Sequence, residues 1–324
     1  MSHDKQNLRG ALTALLSMGI YATHDVVVKS LGASYTPFQI VFFSSVLSFP
    51  LVTLFILQEK EGGSLRPRNP GWVAIRTVST IVTTVAAFYA FSKLPLAQTY
   101  AILFAIPLLI TLLSIPILGE RVRLKRWVAV IVGLIGVLIV LRPGQAPLSI
   151  GHLSALLAAF TGAIAAISVR KVGTDERAVV MLIYPLVGNF FVMGAALAFV
   201  YEPMPIEHLG LLAVIAVFGL CGAILSIMAY QMAEAVIVAP MQYSQIIWAI
   251  VYGYFLFDER PDTETLIGSA IVIASGIYIV LRETRVGSTS QQPVVETRGK
   301  NETITTPRSS LLQRVLNSTG RSGR

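Results

Sequence analysis

Asp25 follows His24 directly and stands four residues before Lys29, in the segment HDVVVK, well inside an apolar stretch that runs from about residue 10 to residue 30. No other acidic residue lies so deep in an apolar stretch. A carboxylate at membrane depth costs about 2.5 to 3.5 kcal/mol on insertion scales, so it needs a partner or contact with water. Two chemistries fit. Lys29 is one helical turn on, and an i, i+4 pair satisfies the charge locally. Alternatively the carboxylate binds a substrate or carries a proton. The imidazole of His24 can share in proton coupling. Neighbours on a helix diverge by about 100°, so His24 and Asp25 need not both face a cavity, and His24 can equally be a hydrogen-bonded structural residue.

Four further groups have chemistry to offer. Arg76 sits several residues into an apolar stretch, followed by Thr77, Ser79, Thr80, Thr83 and Thr84. It is either a fixed cation for a substrate carboxylate or phosphate, or a side chain whose stem snorkels to the interface. QTYAILFAIP places Gln98 and Tyr100 before Pro107, and PMQYSQIIWAIVYGY places Gln242, Tyr243, Gln245 and Trp248 after Pro240. Amides bind polar groups, and aromatic rings stack on flat rings and cations. A proline frees a backbone carbonyl and permits a kink, so Pro107 and Pro240 are the hinge candidates. Aromatic anchoring at the interface and helix packing compete with a binding role for these side chains. Asn189 is a weaker candidate, read equally as glue between helices.

Other chemistries are excluded by what is missing. The four histidines, His3, His24, His152 and His208, form no His-Glu-x-x-His pattern and no set of metal ligands, so no metal and no cofactor is expected. No nucleophile stands beside a base, which argues against an enzyme. There is no G-x-x-x-x-G-K-[ST] loop, so ATP is not the direct energy source. The one cysteine, Cys221, lies in an apolar run and can form no intramolecular disulfide.

These residues are positioned by long apolar segments. The chain is 54% hydrophobic and 13% charged over 324 residues, with a mean hydropathy of +0.71. That is the composition of a membrane protein rather than a soluble domain. Ten segments are expected to cross a bilayer as helices: about 10 to 30, 37 to 57, 71 to 92, 96 to 118, 125 to 142, 151 to 170, 178 to 200, 208 to 230, 236 to 257 and 265 to 282. The alternating ten-residue strands of a barrel are absent. The first segment lacks a small-residue cleavage site and reads as a retained span. The net charge of +8 is spread through connections and tail rather than gathered in a patch with exposed aromatics, so nucleic acid is not an expected partner.

Basic residues set the expected orientation. Lys5, Arg9, Lys60, Arg66, Arg68, Arg121, Arg123, Lys125, Arg126, Arg170, Lys171 and Arg177 fall on one side, against Lys29, Lys93, Arg142 and Arg260 on the other. The positive-inside rule then places both termini in the cytoplasm.

The segments repeat. GALTALLSMGIYATHDVVVKSLG (10 to 32) lies over GHLSALLAAFTGAIAAISVRKVG (151 to 173), and AFYAFSKLPLAQTYAILFAIP (87 to 107) over ILSIMAYQMAEAVIVAPMQYS (224 to 244). Five spans per copy is an odd number, so the second copy enters from the opposite side. The corners GERVRLKR and DERPDTET fit this, one basic on the inner face and one acidic on the outer. Glu120 and Glu259 in those corners read as helix-end or orientation determinants.

With SKLPLAQTYAILFAIPLLITLLSIPILGERV and AVIVAPMQYSQIIWAIVYGYFLFDERP, the chain resembles the EamA repeats of the drug/metabolite transporter superfamily over about 10 to 284. HDVVVKSLGASYTPFQIVFFSSVLSFPLV looks nearest to the branches with S-adenosylmethionine and riboflavin uptake carriers. Those commonly show Asn-Asp then Lys in the first span and Arg in the second; here His24 stands for Asn, and FFSS carries no Arg.

The expected protein is an all-α integral membrane protein: ten transmembrane helices as two inverted five-helix repeats around a central cavity. Residues 1 to 9 form a cytoplasmic N-terminus, 10 to 144 and 150 to 284 the repeats, and 285 to 324 a disordered cytoplasmic tail. The resemblance implies a secondary transporter that moves a small-molecule metabolite across the cytoplasmic membrane, a bacterial inner membrane, by alternating access with proton coupling or exchange. An exporter of amino acids or drugs, and more remotely an intramembrane enzyme or channel, are the alternatives. Membrane lipid and, optionally, a second copy in a homodimer complete the expected partners.

Overall fold

The computed structural model describes residues 3–58, 64–119, 122, 124–144, 148–172, 175–233 and 235–285. The corner residue Glu120 and the tail from 286 onward, both subjects of expectation, lie outside them. The described residues form helices α1 (His3–Leu31), α2 (Pro37–Gln58), α3 (Pro70–Lys93), α4 (Leu96–Leu103), α5 (Ile106–Leu118), α6 (Leu124–Leu141), α7 (Ile150–Val172), α8 (Ala178–Val200), α9 (Ile206–Met232), α10 (Ala235–Val238), α11 (Ser244–Phe257) and α12 (Thr263–Arg285), with a 3-10 turn at Ala239–Tyr243. No strand is found among them.

Among the described residues, seven helical stretches are long and apolar enough to cross a membrane, with α4 and α5 counted together as Leu96–Leu118. Pro37–Thr53 and Thr263–Ile279 are apolar but shorter. Length and hydropathy alone therefore carry seven of the ten expected crossings. The segment expected at 236 to 257 falls short because it is broken into α10, the 3-10 turn and α11.

Packing follows the duplication. α1 lies against α9 and α3 against α7, while α2 pairs with α8, α4 with α11 and α6 with α12. Exchanging the two halves turns the α1–α9 pair into α7–α3 and leaves α2–α8 and α6–α12 on themselves. Small residues let the helices approach. A side chain on Gly136 would meet the Gly268 carbonyl at 2.8 Å, and one on Gly268 would meet Val140 Cγ2 at 2.5 Å. Without a hydrophobic force between helices in lipid, such close contact is what holds α6 to α12. Large apolar side chains such as Phe191, Phe199, Ile131 and Leu138 remain exposed on the outside of the bundle, as lipid contact requires. The core gathers around α4, where Leu96, Tyr100, Ile102 and Phe104 are all buried.

Candidate functional site

The centre is built on two interrupted helices. α4 ends at Phe104, whose N–H turns back to the carbonyls of Tyr100 and Ile102, and α5 starts at Ile106 with Pro107 in its first turn. In the overlay of the repeats Phe104 falls on Met241, inside the 3-10 turn that carries Pro240. Both halves thus break the same helix at the same place. A proline contributes no N–H, so at each break the preceding turn can close as 3-10 without leaving a further donor stranded. The two breaks touch: the Phe104 and Tyr243 rings meet at 5.0 Å and 71°.

Asp25 reaches this centre from α1. His24 Nδ1 lies 2.7 Å from Asp25 Oδ1, and the Tyr100 hydroxyl donates to Oδ2. The carboxylate is therefore tied to the last turn of α4, immediately before the break. It keeps 14% of its side-chain exposure, so it is neither sealed in apolar packing nor on an open surface. His24 packs edge-on to Phe88 at 6.1 Å and lies beside Gly219 of α9. Thr23, the residue before His24 and on another face of α1, shares a 2.9 Å hydrogen bond with Tyr252, which stacks on Trp248. Gly19 leaves room for that indole, since its missing Cβ would stand 3.4 Å from the ring.

Lys29 does not pair with Asp25. Its ammonium meets Glu259 Oε1 at 2.7 Å and donates to the carbonyls of Leu94 at 2.5 Å and Phe91 at 3.3 Å. Glu259 Oε2 in turn accepts the N–H of Leu96 at 2.9 Å, the first helical residue of α4. A cation thus sits on the last carbonyls of α3 and a carboxylate on the first amide of α4, matching both helix dipoles with one ion pair. The chain delivers Glu259 there through Asp258, left-handed at φ 52°, with the Glu259 N–H bonded to Gly253 O at 2.8 Å.

Other polar links join the halves near this end. The Tyr35 hydroxyl and His208 Nδ1 are 2.6 Å apart. The Gln39 amide makes two bonds to the Glu202 backbone, 2.6 and 2.9 Å. Gln98 Nε2 lies 3.0 Å from His152 Nε2 and lines a cavity of about 40 Å³ with Pro95, Ala97, Ala249 and Glu259.

Of the expected site residues, His24, Asp25 and Tyr100 come together, and Tyr243 joins them through Phe104. Trp248 stands beside α1, whereas Gln98 lies in the end cavity. Gln242 and Gln245 are half-buried on the 3-10 turn and on α11. Arg76 is buried and committed to backbone: Nε donates to Met181 O at 2.9 Å and Nη1 to Ala165 O at 3.2 Å. Its neighbour Thr83 bonds Thr161 of α7 at 2.7 Å. Asn189 is buried in α8, with Oδ1 lacking a hydrogen-bond partner among the described residues. Sequence reasoning missed Phe104 as the contact between the breaks and Glu259 as the partner of Lys29. The overlay of Phe104 on the Pro240 turn was the available signal for the first.

Two interrupted helices meeting beside a half-buried carboxylate, among apolar helices in a duplicated pattern, are the build of a membrane transport protein. The chain belongs to the EamA-like transporter family, whose profile matches it twice, at residues 8–142 and 149–282. This family lies in the drug/metabolite transporter superfamily. Among similar proteins, an S-adenosylmethionine uptake transporter of Rickettsia bellii is 28% identical over 85% of this chain and 94% of its own length. A pseudopaline exporter of Pseudomonas aeruginosa is 26% identical over 86% of this chain and 97% of its own. A solved structure matches with a TM-score of 0.55 at 17% identity, over 89% of this chain and all of that one, which is a likeness of fold. The protein is a multi-pass membrane transporter and not an enzyme.

Proposed function

We propose that the chain is a secondary active carrier with ten spans in two inverted repeats, both termini cytoplasmic, moving a small organic metabolite across the cytoplasmic membrane by alternating access. Asp25 is its binding and coupling carboxylate. The observation that carries this reading is the bond from Tyr100 to Asp25, which ties a carboxylate at membrane depth to the turn preceding a helix break. Interrupted segments at corresponding places in two halves favour a substrate site between them, because unwound backbone at membrane depth is tolerated where it lines a cavity. Exchange of conformations between two like halves then turns an inward-open state into an outward-open one.

Asp25, with the Phe88 ring packed on its neighbour His24, suits a cationic solute carrying a flat ring, through charge pairing and cation–π contact. S-adenosylmethionine, a sulfonium with a flat purine, has that chemistry and is the first compound to test. Since one similar protein is named an uptake transporter and another an exporter, direction is decided by experiment. The purified protein in sealed vesicles is expected to give saturable flux of a compound from a panel of metabolites, S-adenosylmethionine and amino acids included, with a rate that responds to a pH gradient. Asp25→Asn removes that response. Absence of flux across the panel, or an unchanged pH response in Asp25→Asn, overturns the reading.

A further inference from the structure

We propose that Tyr100 and Phe104 form a relay that converts the charge state of Asp25 into movement of both helix interruptions, first the one in its own half and then, through Tyr243, the one in the other. The relay rests on the reading of Asp25 as the coupling carboxylate.

Asp25 offers two oxygens and both are occupied, Oδ1 by His24 and Oδ2 by Tyr100. An ionised carboxylate accepts both bonds and strengthens them, because hydrogen bonds to a charged acceptor exceed neutral ones. A proton arriving on the carboxyl cancels its charge and leaves it a weaker acceptor. Tyr100 keeps its own proton and loses the charge-assisted part of its bond. A substrate cation placed on the same carboxyl does the same.

The consequence of that loss is set by where Tyr100 stands. It lies four residues before Phe104, with the rings 6.0 Å apart, in the last turn before the helix stops. It also packs on Phe91 at 5.3 Å. Phe104 is 1% exposed and enclosed in the main apolar core, so a shift of its ring presses on its neighbours. Its face abuts Tyr243, the last residue of the 3-10 turn, which is buried over Gly276 so closely that a Cβ there would collide with the phenol oxygen. Close-packed interiors pass a displacement on instead of absorbing it, and a discontinuous helix is an element with two arrangements for the displacement to bias.

The groups that face Asp25 or its partners define what else can titrate. His24 shares the carboxylate from α1, and Tyr100 does so from α4. α3 contributes the apolar Phe88 and Phe91, α9 contributes Gly219, and α11 contributes Tyr252 through Thr23. Lys29, one turn on, is held by Glu259 from the α11–α12 corner. Asp25→Asn separates Asp25 from all of these.

The test reads each interruption separately. In full-length protein carrying Cys221→Ser, a single cysteine replaces either Ala97 of α4 or Ala249 of α11, buried positions lining the same end cavity. Labelling by a membrane-impermeant maleimide is followed in sealed vesicles from pH 8 to pH 5. Both reporters are expected to respond to pH in the parent. Asp25→Asn and Tyr100→Phe are expected to remove both responses. Phe104→Leu, which keeps bulk but loses the ring, is expected to keep the response at position 97 and lose it at 249. A parent without pH response, or a response that survives Asp25→Asn, overturns the reading of Asp25 itself. If Asp25→Asn behaves as stated, any other pattern in Tyr100→Phe or Phe104→Leu overturns the relay alone.

Discussion

α1 and α7 are copies of one helix put to different uses. In register, Ala14 falls on Ala155 and Ala22 on Ala163, and all four are buried. Their small faces pack each helix on its partner, α1 on α9 and α7 on α3. His24 and Asp25 fall on Ala165 and Ala166, and the difference is chemical. α1 carries a carboxylate into the centre, whereas α7 has alanines there and its Ala165 carbonyl accepts from Arg76. Lys29 falls on Arg170, so the basic residue one turn later is common to both. Duplication thus preserved the packing face and left one copy to acquire an ionisable group.

Moving the charge from one copy to the other has the largest effect. Ala166→Asp puts a carboxylate into a packed face where the Arg76 guanidinium is already bonded to the Ala165 carbonyl, which should cost about 3 to 5 kcal/mol and appear as loss of folded protein in detergent. Asp25→Asn should leave folding nearly intact, seen as an unchanged Tm, while transport loses its pH response. Next comes the ion pair beside it. Glu259→Gln leaves Lys29 without its countercharge, and since the two side chains retain 11% and 19% exposure the expected loss is about 2 kcal/mol, less than for a fully buried pair. Lys29→Glu with Glu259→Lys should not restore it fully, because the reversed charges oppose both helix ends; a fall in Tm that the double variant fully repairs would disprove the dipole match.

Smaller effects sharpen the contrast between the centre and the rim. Gly268→Ala drives a methyl into Val140 and the Gly136 carbonyl, and about 1 to 3 kcal/mol of destabilisation is expected in thermal unfolding. The slightest concerns Asp262, which caps α12 outside the spans. Partial burial raises its carboxyl, but hydrogen bonds from Thr265 and the Arg142 guanidinium outweigh this and hold it below the usual carboxylate range. Its folded-state value is depressed, so its stabilisation is present above the unfolded value and lost as pH falls through the folded one. At 50% side-chain exposure it contributes less than about 1 kcal/mol. Asp262→Asn should flatten the acid limb of Tm against pH, and an unaltered limb would exclude this cap as its source.

The repeats and the apolar segments were legible in sequence because they are carried by identities and by long runs without charge. The breaks were legible only in part. Pro107 and Pro240 are visible, yet neither proline marks the residue where the helix stops, and Phe104 and Ala105 sit in an unbroken apolar run. The partner of Asp25 was ambiguous, because Lys29 is well spaced for it along one helix. Geometry decides otherwise: the ends of α3 and α4 converge on Lys29 and supply acceptors that spacing cannot show. Arg76 was undecidable for the same reason, its acceptors being backbone carbonyls of two other helices.

The corner made by Lys29 and Glu259 also bears on how the chain is made. Lys29 lies in α1 and its counter-ion beyond α11, so the ammonium is synthesised long before the carboxylate that meets it. Until then α1 carries an unmatched ammonium, and the corner between α3 and α4 lacks its carboxylate cap. The loop between α11 and α12 supplies that carboxylate and ties α1 to the second repeat. A truncation before Glu259 should therefore be met by quality-control proteolysis as an unfinished molecule, even with most of its helices already in the membrane.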